Sequence, residues 1–264
     1  MSDKMILKKK INGFLFRLFD KVNPLFFSFI GCFFRLINTI LKRKKILIFT
    51  DSRGYEVTRP WNRGNPFSSY AGFFLKRYVC DISLCPEKFT SLLDFIEFHD
   101  AKKCDYDLVI LHCGIVDFAP RPISSYESML SSKRNIIRRY SLDTYFDNKP
   151  DYDKTLYEGE KTVSFFSDKI IEEFVVEKLS QINNLIYIGT NRVLMDWQGN
   201  YWRKRPENIN IQMELNELLQ KKLNLVVDLS SLSDADIRKY TTDNVHYNKD
   251  GFGYILSSLI SCLK

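Results

Sequence analysis

Ser52 and His246 are the residues whose types and settings suit chemistry best. Ser52 stands in Thr50-Asp51-Ser52-Arg53-Gly54, directly after the apolar run Ile46-Leu47-Ile48-Phe49. Such a run reads as a buried parallel strand whose carboxyl end opens into a loop. In open α/β sheets, ligands bind outside that edge. A serine there is placed where a nucleophile is used, although Thr, Asp and Ser also end strands for purely local reasons. His246 closes Asp243-Asn244-Val245-His246, just before a final helix-like segment, and is one of three histidines with His99 and His112. An aspartate three residues ahead can orient an imidazole, and the imidazole can take a proton from a serine hydroxyl.

The elements that must position these groups follow from composition and pattern. The chain has 264 residues, 45% hydrophobic and 27% charged. That suits one globular domain with a sizeable core. Formal net charge is +7, but residues 1–45 hold eleven Lys/Arg and two Asp, and the remainder is slightly acidic. The domain that carries Ser52 and His246 is therefore not basic, which argues against a nucleic-acid partner.

Residues 1–44 form a separate arm, with Lys8-Lys9-Lys10 ahead of a Phe/Leu/Ile-rich stretch and Lys42-Arg43-Lys44-Lys45 behind it. The longest uncharged run, Val22 to Phe34, contains Pro24 and is shorter than the roughly 20 residues a bilayer span needs. No small-x-small cleavage site follows it, as a signal peptide requires. The arm reads as one or two amphipathic helices on an anionic membrane surface, peripheral on the cytoplasmic face. The alternatives are a span, if the run is counted across Arg35 to Leu41, and a helical arm packed against the domain or a partner chain.

The six cysteines match no zinc spacing and suggest no disulfide framework. Cys113, beside Gly114, is weighed both as an alternative nucleophile and as a small apolar strand residue. No metal constellation and no phosphate-loop or dinucleotide fingerprint occurs, so no cofactor is expected.

Apolar runs at Ile46–Phe49, Val79–Leu84, Asp107–His112, Leu185–Ile188 and Leu225–Leu229 alternate with helical patterns at Ser68–Tyr78, Pro86–Phe98, Asp168–Ile182, Pro206–Leu223 and Gly251–Leu263. That alternation predicts a parallel sheet of about five strands with right-handed crossovers, from residue 45 to 264. Residues 118–166 contain Pro120, Pro122 and a basic patch at Lys133, Arg134, Arg138 and Arg139. They read as a partly helical elaboration over the sheet, a lid or substrate wall. Trp197, Tyr201 and Trp202 in the loop after the fourth strand suit stacking on a sugar face, and suit loop packing equally.

Three motifs in order resemble the SGNH/GDSL hydrolase and acyltransferase superfamily. Phe49-Thr50-Asp51-Ser52 is similar to its first block, with Thr50 where glycine is usual. Gly114-Ile115-Val116-Asp117 is similar to its block after strand three, and Asp243-Asn244-Val245-His246 to its last. The resemblance implies a flavodoxin-like three-layer α/β/α sandwich, with Ser52 as nucleophile, His246 as general base and Asp243 as its partner. It covers Thr50 to His246 and leaves the arm outside.

Two departures concern the oxyanion donors. Asp117 falls where the resemblance calls for an asparagine amide, and an ionised aspartate cannot donate. No glycine lies between Gly72 and Gly114, so a second donor would come from the backbone of Ser83 or Cys85. Either Asp117 is protonated, or Arg53 or Arg121 supplies the positive end, Arg53 first, or the protein is not a conventional esterase.

The resemblance implies a serine enzyme moving or removing an O-acyl group, acetyl first among them, on a carbohydrate in surface-glycan biosynthesis. The alternatives are a catalytically dead relative or a phosphate- or nucleotide-binding flavodoxin-like subunit at the membrane.

Overall fold

The computed structural model describes residues 3–102, 104–147, 151–200 and 204–263. In chain order the elements begin with helix α1 (Asp3–Ile40), strand β1 (Lys45–Thr50), helix α2 (Ala71–Leu75), strand β2 (Val79–Leu84), helix α3 (Leu92–Lys102) and strand β3 (Leu108–His112). Then come α4 (Ile115–Phe118), the two-residue β4 (Arg121–Pro122), α5 (Ile123–Arg139), α6 (Asp143–Phe146), β5 (Asp153–Tyr157) and β6 (Glu160–Val163). A helical stretch follows as α7 (Asp168–Ile170), a π-helical turn at Ile171–Val175 and α8 (Val176–Ser180). The chain closes with β7 (Leu185–Ile188), α9 (Ile211–Gln220), β8 (Leu225–Val227), α10 (Asp234–Tyr240) and α11 (Lys249–Cys262).

Five strands form one parallel sheet in the order β2-β1-β3-β7-β8. This is the flavodoxin-like order, and it places β1 beside the point where the strand order reverses. Both faces are covered. Leu47, Phe49, Val109 and Leu111 pack with Leu92, Phe95 and Ile96 of α3. Ile46, Ile48 and Ile110 pack with Phe252, Ile255 and Leu259 of α11. Burial on both faces is why these strands read as unbroken apolar runs. All five begin within a residue or so of the expected positions.

Helix starts differ more. The expected helix at Pro86 begins instead at Leu92, because Ser91 and Asp94 cap it reciprocally. Ser91 Oγ accepts from the amides of Leu93 (3.1 Å) and Asp94 (3.4 Å), and the Ser91 amide donates to Asp94 Oδ2 at 2.8 Å. Only Ala71–Leu75 of Ser68–Tyr78 is α-helical; a 3-10 turn at Pro66–Ser68 precedes it. The elaboration at 118–166 is part helix and part sheet. Its strands pair antiparallel in the order β4-β6-β5, turning through Glu158 and Gly159, both at positive φ.

The arm is a single helix that runs through Pro24 and lies along the edge strand β2. Asn23 Nδ2 donates to the carbonyls of Trp61 (3.1 Å) and Arg63 (2.7 Å). Asn38 Nδ2 donates to those of Leu75 (3.1 Å) and Tyr78 (2.8 Å). Arg35 pairs with Asp81 of β2 between them.

Candidate active site

Thr50 ends β1 opposite His112 of β3 and Leu84 of β2. The Asp51 amide extends the pairing by donating to His112 O at 2.9 Å, and the chain then turns sharply through a 3-10 turn at Ser52–Gly54. Glycine is required at position 54, since a Cβ there would sit 1.9 Å from Thr50 Oγ1. The Asp51 carboxylate caps the turn by accepting from the Arg53 amide at 2.9 Å. It also accepts from Arg53 Nε (3.0 Å) and Nη2 (2.8 Å), while Arg53 Nη1 reaches Gly189 O at the end of β7. Burial opposes the Arg53 charge, but Asp51 outweighs it and raises the guanidinium above its usual range. The Ser52 turn is thus clamped from beneath by a buried ion pair.

His246 arrives from the other end of the sheet. Thr241 and Tyr247 bridge antiparallel, and the Thr242 amide donates to His246 O at 2.8 Å, closing a tight turn. Asn244 takes the left-handed φ of +71° that this turn needs, a conformation asparagine tolerates. Its side chain bonds both the amide and the carbonyl of Leu194 and the carbonyl of Trp197, and Asn191 Nδ2 donates to its backbone oxygen.

Within that turn Asp243 Oδ1 accepts from the amides of Val245 (3.1 Å) and His246 (2.8 Å), and Oδ2 lies 2.8 Å from His246 Nδ1. Burial works against the Asp243 charge, but the hydrogen bond and charge of His246 with the two amides hold it down at about 2. A carboxylate only accepts, so Nδ1 carries the proton and Nε2 presents its lone pair. Ser52 Oγ is 2.9 Å from that Nε2. Ser52 and His246 are both half-buried, open to a substrate. The three residues expected to converge do so, across 194 positions of sequence.

The expected oxyanion groups do not assemble. Arg53 is 1% exposed and spent on Asp51 and Gly189, so it neither faces a substrate nor cradles a phosphate. Asp117 is 0% exposed. Its Oδ2 accepts from the Leu92 amide at the head of α3, its Oδ1 is unpartnered, and burial pushes it well above the usual carboxylate range. Its place is structural, beneath α3. Cys85 is also excluded as a donor, since its amide donates to Thr50 O at 2.7 Å, and Ser83 lies inside the ladder opposite Phe49. Arg121 Nε donates to Val116 O and lines a small cavity of 90 Å³ with Glu158 and Arg205, not with Ser52. Gly114 starts α4 at φ +121°, where a Cβ would meet the Phe118 ring at 2.8 Å. Its part is to let β3 turn into α4.

Asp117→Asn is therefore expected to leave ester turnover within about threefold of wild type, under 1 kcal/mol on the barrier. Its effect falls on stability. A buried carboxyl with a raised folded value loses stability as pH climbs above its unfolded value, and an amide does not titrate. Thermal scans at pH 5 and pH 8 should show a smaller loss in the variant than in wild type.

Cys113 is fully buried, donates to Thr90 O, and is pushed well above the usual thiol range by burial; it is a core residue. His112 is neutral, driven down by burial and then by Arg53 and His246, and its ring lies between those of Tyr70 and Tyr247 beneath the site. Trp197 lines a cavity of 620 Å³ with Arg205, whose guanidinium donates to Asp243 O, but none of Ser52, Asp243 and His246 lines that cavity. Tyr201 and Trp202 lie outside the described residues. A larger cavity of 810 Å³ under the elaboration includes neither Ser52 nor His246 in its lining. The supporting residues that sequence reasoning passed over are Asp51, Asn191 and Asn244. Only Asn244 left a signal, an asparagine where a tight Asp-x-x-His turn needs positive φ. Among the described residues no cluster of His, Cys, Asp and Glu is set to hold a metal.

Among the solved structures similar to this chain are two. One is an acetyl xylan esterase, AlAXEase, at 15% identity and a TM-score of 0.47, covering 83% of this chain and 100% of that one. The other is phospholipase A1 from Streptomyces albidoflavus NA297, at 12% identity and 0.46, covering 83% and 99%. No protein-family model matches the chain, and no curated protein matches it. The chemistry rests on the site's own atoms.

Proposed function

We propose that this chain is a serine ester hydrolase or O-acyltransferase that moves or removes an acyl group on a carbohydrate. The observation that carries this reading is the relay of 2.9 Å and 2.8 Å from Ser52 through His246 to Asp243. Ser52 Oγ attacks the acyl carbonyl as its proton passes to His246 Nε2. The tetrahedral adduct collapses, and the departing alkoxide takes that proton. Water or a sugar hydroxyl then attacks the acyl-enzyme as its proton passes to Nε2, and when the second tetrahedral adduct collapses the departing Ser52 Oγ takes that proton, restoring the neutral serine and imidazole. Asp243 holds the tautomer and stabilises the imidazolium. Ser52 heads its 3-10 turn, so its own amide lacks an intrahelical acceptor and suits the oxyanion.

Trp197, whose carbonyl accepts from Asn244 of the Asp243 turn, supports a sugar as the group carried. The basic, apolar α1 supports a place on the inner face of the cell membrane, where surface glycans are assembled. A half-buried serine within reach of a correctly oriented base weighs against an inactive subunit.

Intact mass after treatment with a fluorophosphonate tests the reading. One adduct is expected on wild type and none on Ser52→Ala. Equal labelling of both proteins would sink it.

A further inference from the structure

Helix α1 is inside out relative to a soluble surface helix. The side chains it turns toward the domain include the buried Asn23 and Asn38, 4% and 3% exposed, while Leu25 and Phe29 are each 77% exposed. Val22, Leu25, Phe29, Phe33, Leu36 and Ile40 are all exposed and recur every three or four residues. They make one apolar stripe down the outer face. An exposed apolar surface of this extent marks an interaction site. From Gly13 to Ile40 the helix is apolar and long enough to cross a membrane by length and composition. Its bonds from Asn23 to Asn38 instead hold it alongside the domain.

The direction of α1 ties that stripe to the site. Asn38 bonds residues just ahead of β2, at the amino edge of the sheet. Asn23 bonds the loop that follows the Ser52 turn, at the catalytic edge. That loop presents Trp61, 49% exposed, between Arg59 and Arg63. Phe67 at its end packs on Phe27 and Phe34 of α1, with ring centres 6.2 Å and 6.1 Å apart. Helix and loop are one body, and the loop lies nine residues beyond Ser52.

We propose that the outer face of α1 and the Arg59–Trp61–Arg63 loop form a single surface that docks on an anionic bilayer. α1 then lies in the membrane plane, and the Ser52 site opens at headgroup level. The acyl ester or acceptor sugar it acts on is carried by a lipid. The substrate claim rests on the Ser52 reading above; the docking claim does not. Charge selects the occupant. The stripe is flanked by Lys8-Lys9-Lys10 and Lys42-Arg43-Lys44-Lys45, with Asp20 the one acid between them. Anionic headgroups complement those clusters, while a second copy would bring like charges together. Tryptophan and arginine at the loop tip suit the interface, one by its amphipathic ring and the other by its pairing with phosphate.

The test uses the full chain with phosphatidylcholine vesicles, with and without phosphatidylglycerol. A shallow doxyl-labelled lipid should quench tryptophan fluorescence on the anionic vesicles, and Trp61→Phe should lose most of that quenching. The double variant Arg59→Ala/Trp61→Ala should partition about tenfold more weakly. Turnover is compared on nitrophenyl acetate in solution and on an alkyl-chain nitrophenyl acetate embedded in the vesicles. The ratio of embedded to soluble rate should fall about tenfold in the double variant. Quenching that Trp61→Phe does not change, or a stable dimer in which Trp61 stays unquenched, overturns the docking surface. An unchanged rate ratio overturns the lipid-borne substrate. A chain that docks but hydrolyses neither ester, with Ser52 unlabelled by fluorophosphonate, overturns the site reading and leaves the docking result standing.

Discussion

His246→Ala is expected to lower ester turnover by about 10⁴- to 10⁶-fold, with the folded population intact. The serine hydroxyl is a weak nucleophile at its own pKa, and Nε2 at 2.9 Å is the base within its reach. His112 cannot replace it, being fully buried with its Nδ1 against Tyr70 Oη at 3.0 Å. The His246 side chain is 20% exposed, so truncating it leaves no core cavity. Asp243→Asn is expected to cost about 10⁴-fold in kcat, because an amide nitrogen facing Nδ1 favours the wrong tautomer. Asp243, held at about 2, stays an anion throughout the working range. Any loss of activity on acidification above about pH 3 therefore comes from another group. Stopped assays on nitrophenyl acetate with circular dichroism alongside check both variants. A His246→Ala protein within tenfold of wild type would mean that the relay is not the engine.

The strands and the relay were legible because their signals are local. A parallel strand buried on both faces has no room for a charge, so the uninterrupted runs announced the central strands β1, β3 and β7, while the edge strand β2 carries Asp81 and Ser83. A serine at one carboxyl edge and a histidine in an Asp-x-x-His turn after the last strand share that edge whatever lies between them. What the sequence hid was charge pairing. Arg53 and Asp117 look like free charges on a catalytic rim, yet Arg53 folds back on Asp51 two residues away, and Asp117 turns under the head of α3. Burial of a charge depends on where its partner lands, and no one-dimensional pattern carries that. α1 hid its orientation for a related reason. Counting apolar residues finds a hydrophobic helix, whereas Asn23 and Asn38 decide which side faces the domain. The antiparallel β5–β6 pair escaped because it turns on Glu-Gly, outside the Asn-Gly and Asp-Gly signals of tight hairpins.

Lys133→Met is expected to destabilise the fold by about 3–5 kcal/mol. Lys133 read as one member of a surface basic patch, but it is 0% exposed. Its Nζ lies 2.7 Å and 2.8 Å from the two oxygens of Asp94 and 3.1 Å from Glu87. The contacts join α5 of the elaboration to the first turn of α3 and to the loop after β2. That loop begins at Cys85, whose amide holds Thr50 O just ahead of Ser52. Burial opposes the Lys133 charge, and the hydrogen bonds and charges of Asp94 and Glu87 outweigh it, so the ammonium persists. Without it, Asp94 is left as a carboxylate 10% exposed, with only the Ser91 amide to stabilise it. The cost is that of an uncompensated buried charge, not of a lost attraction. Two consequences separate this from simple loss of packing. Asp94 is already pushed up by burial and rises further without Lys133, so the variant's deficit should be smaller at pH 5, where protonation relieves it, than at pH 8. Adding Asp94→Asn, which keeps an acceptor for Ser91 but removes the charge, should recover most of the loss. Urea unfolding at the two pH values, with m compared to confirm the same cooperative unit, reads both. A deficit that is equal at pH 5 and pH 8 and untouched by Asp94→Asn would assign Lys133 to packing alone.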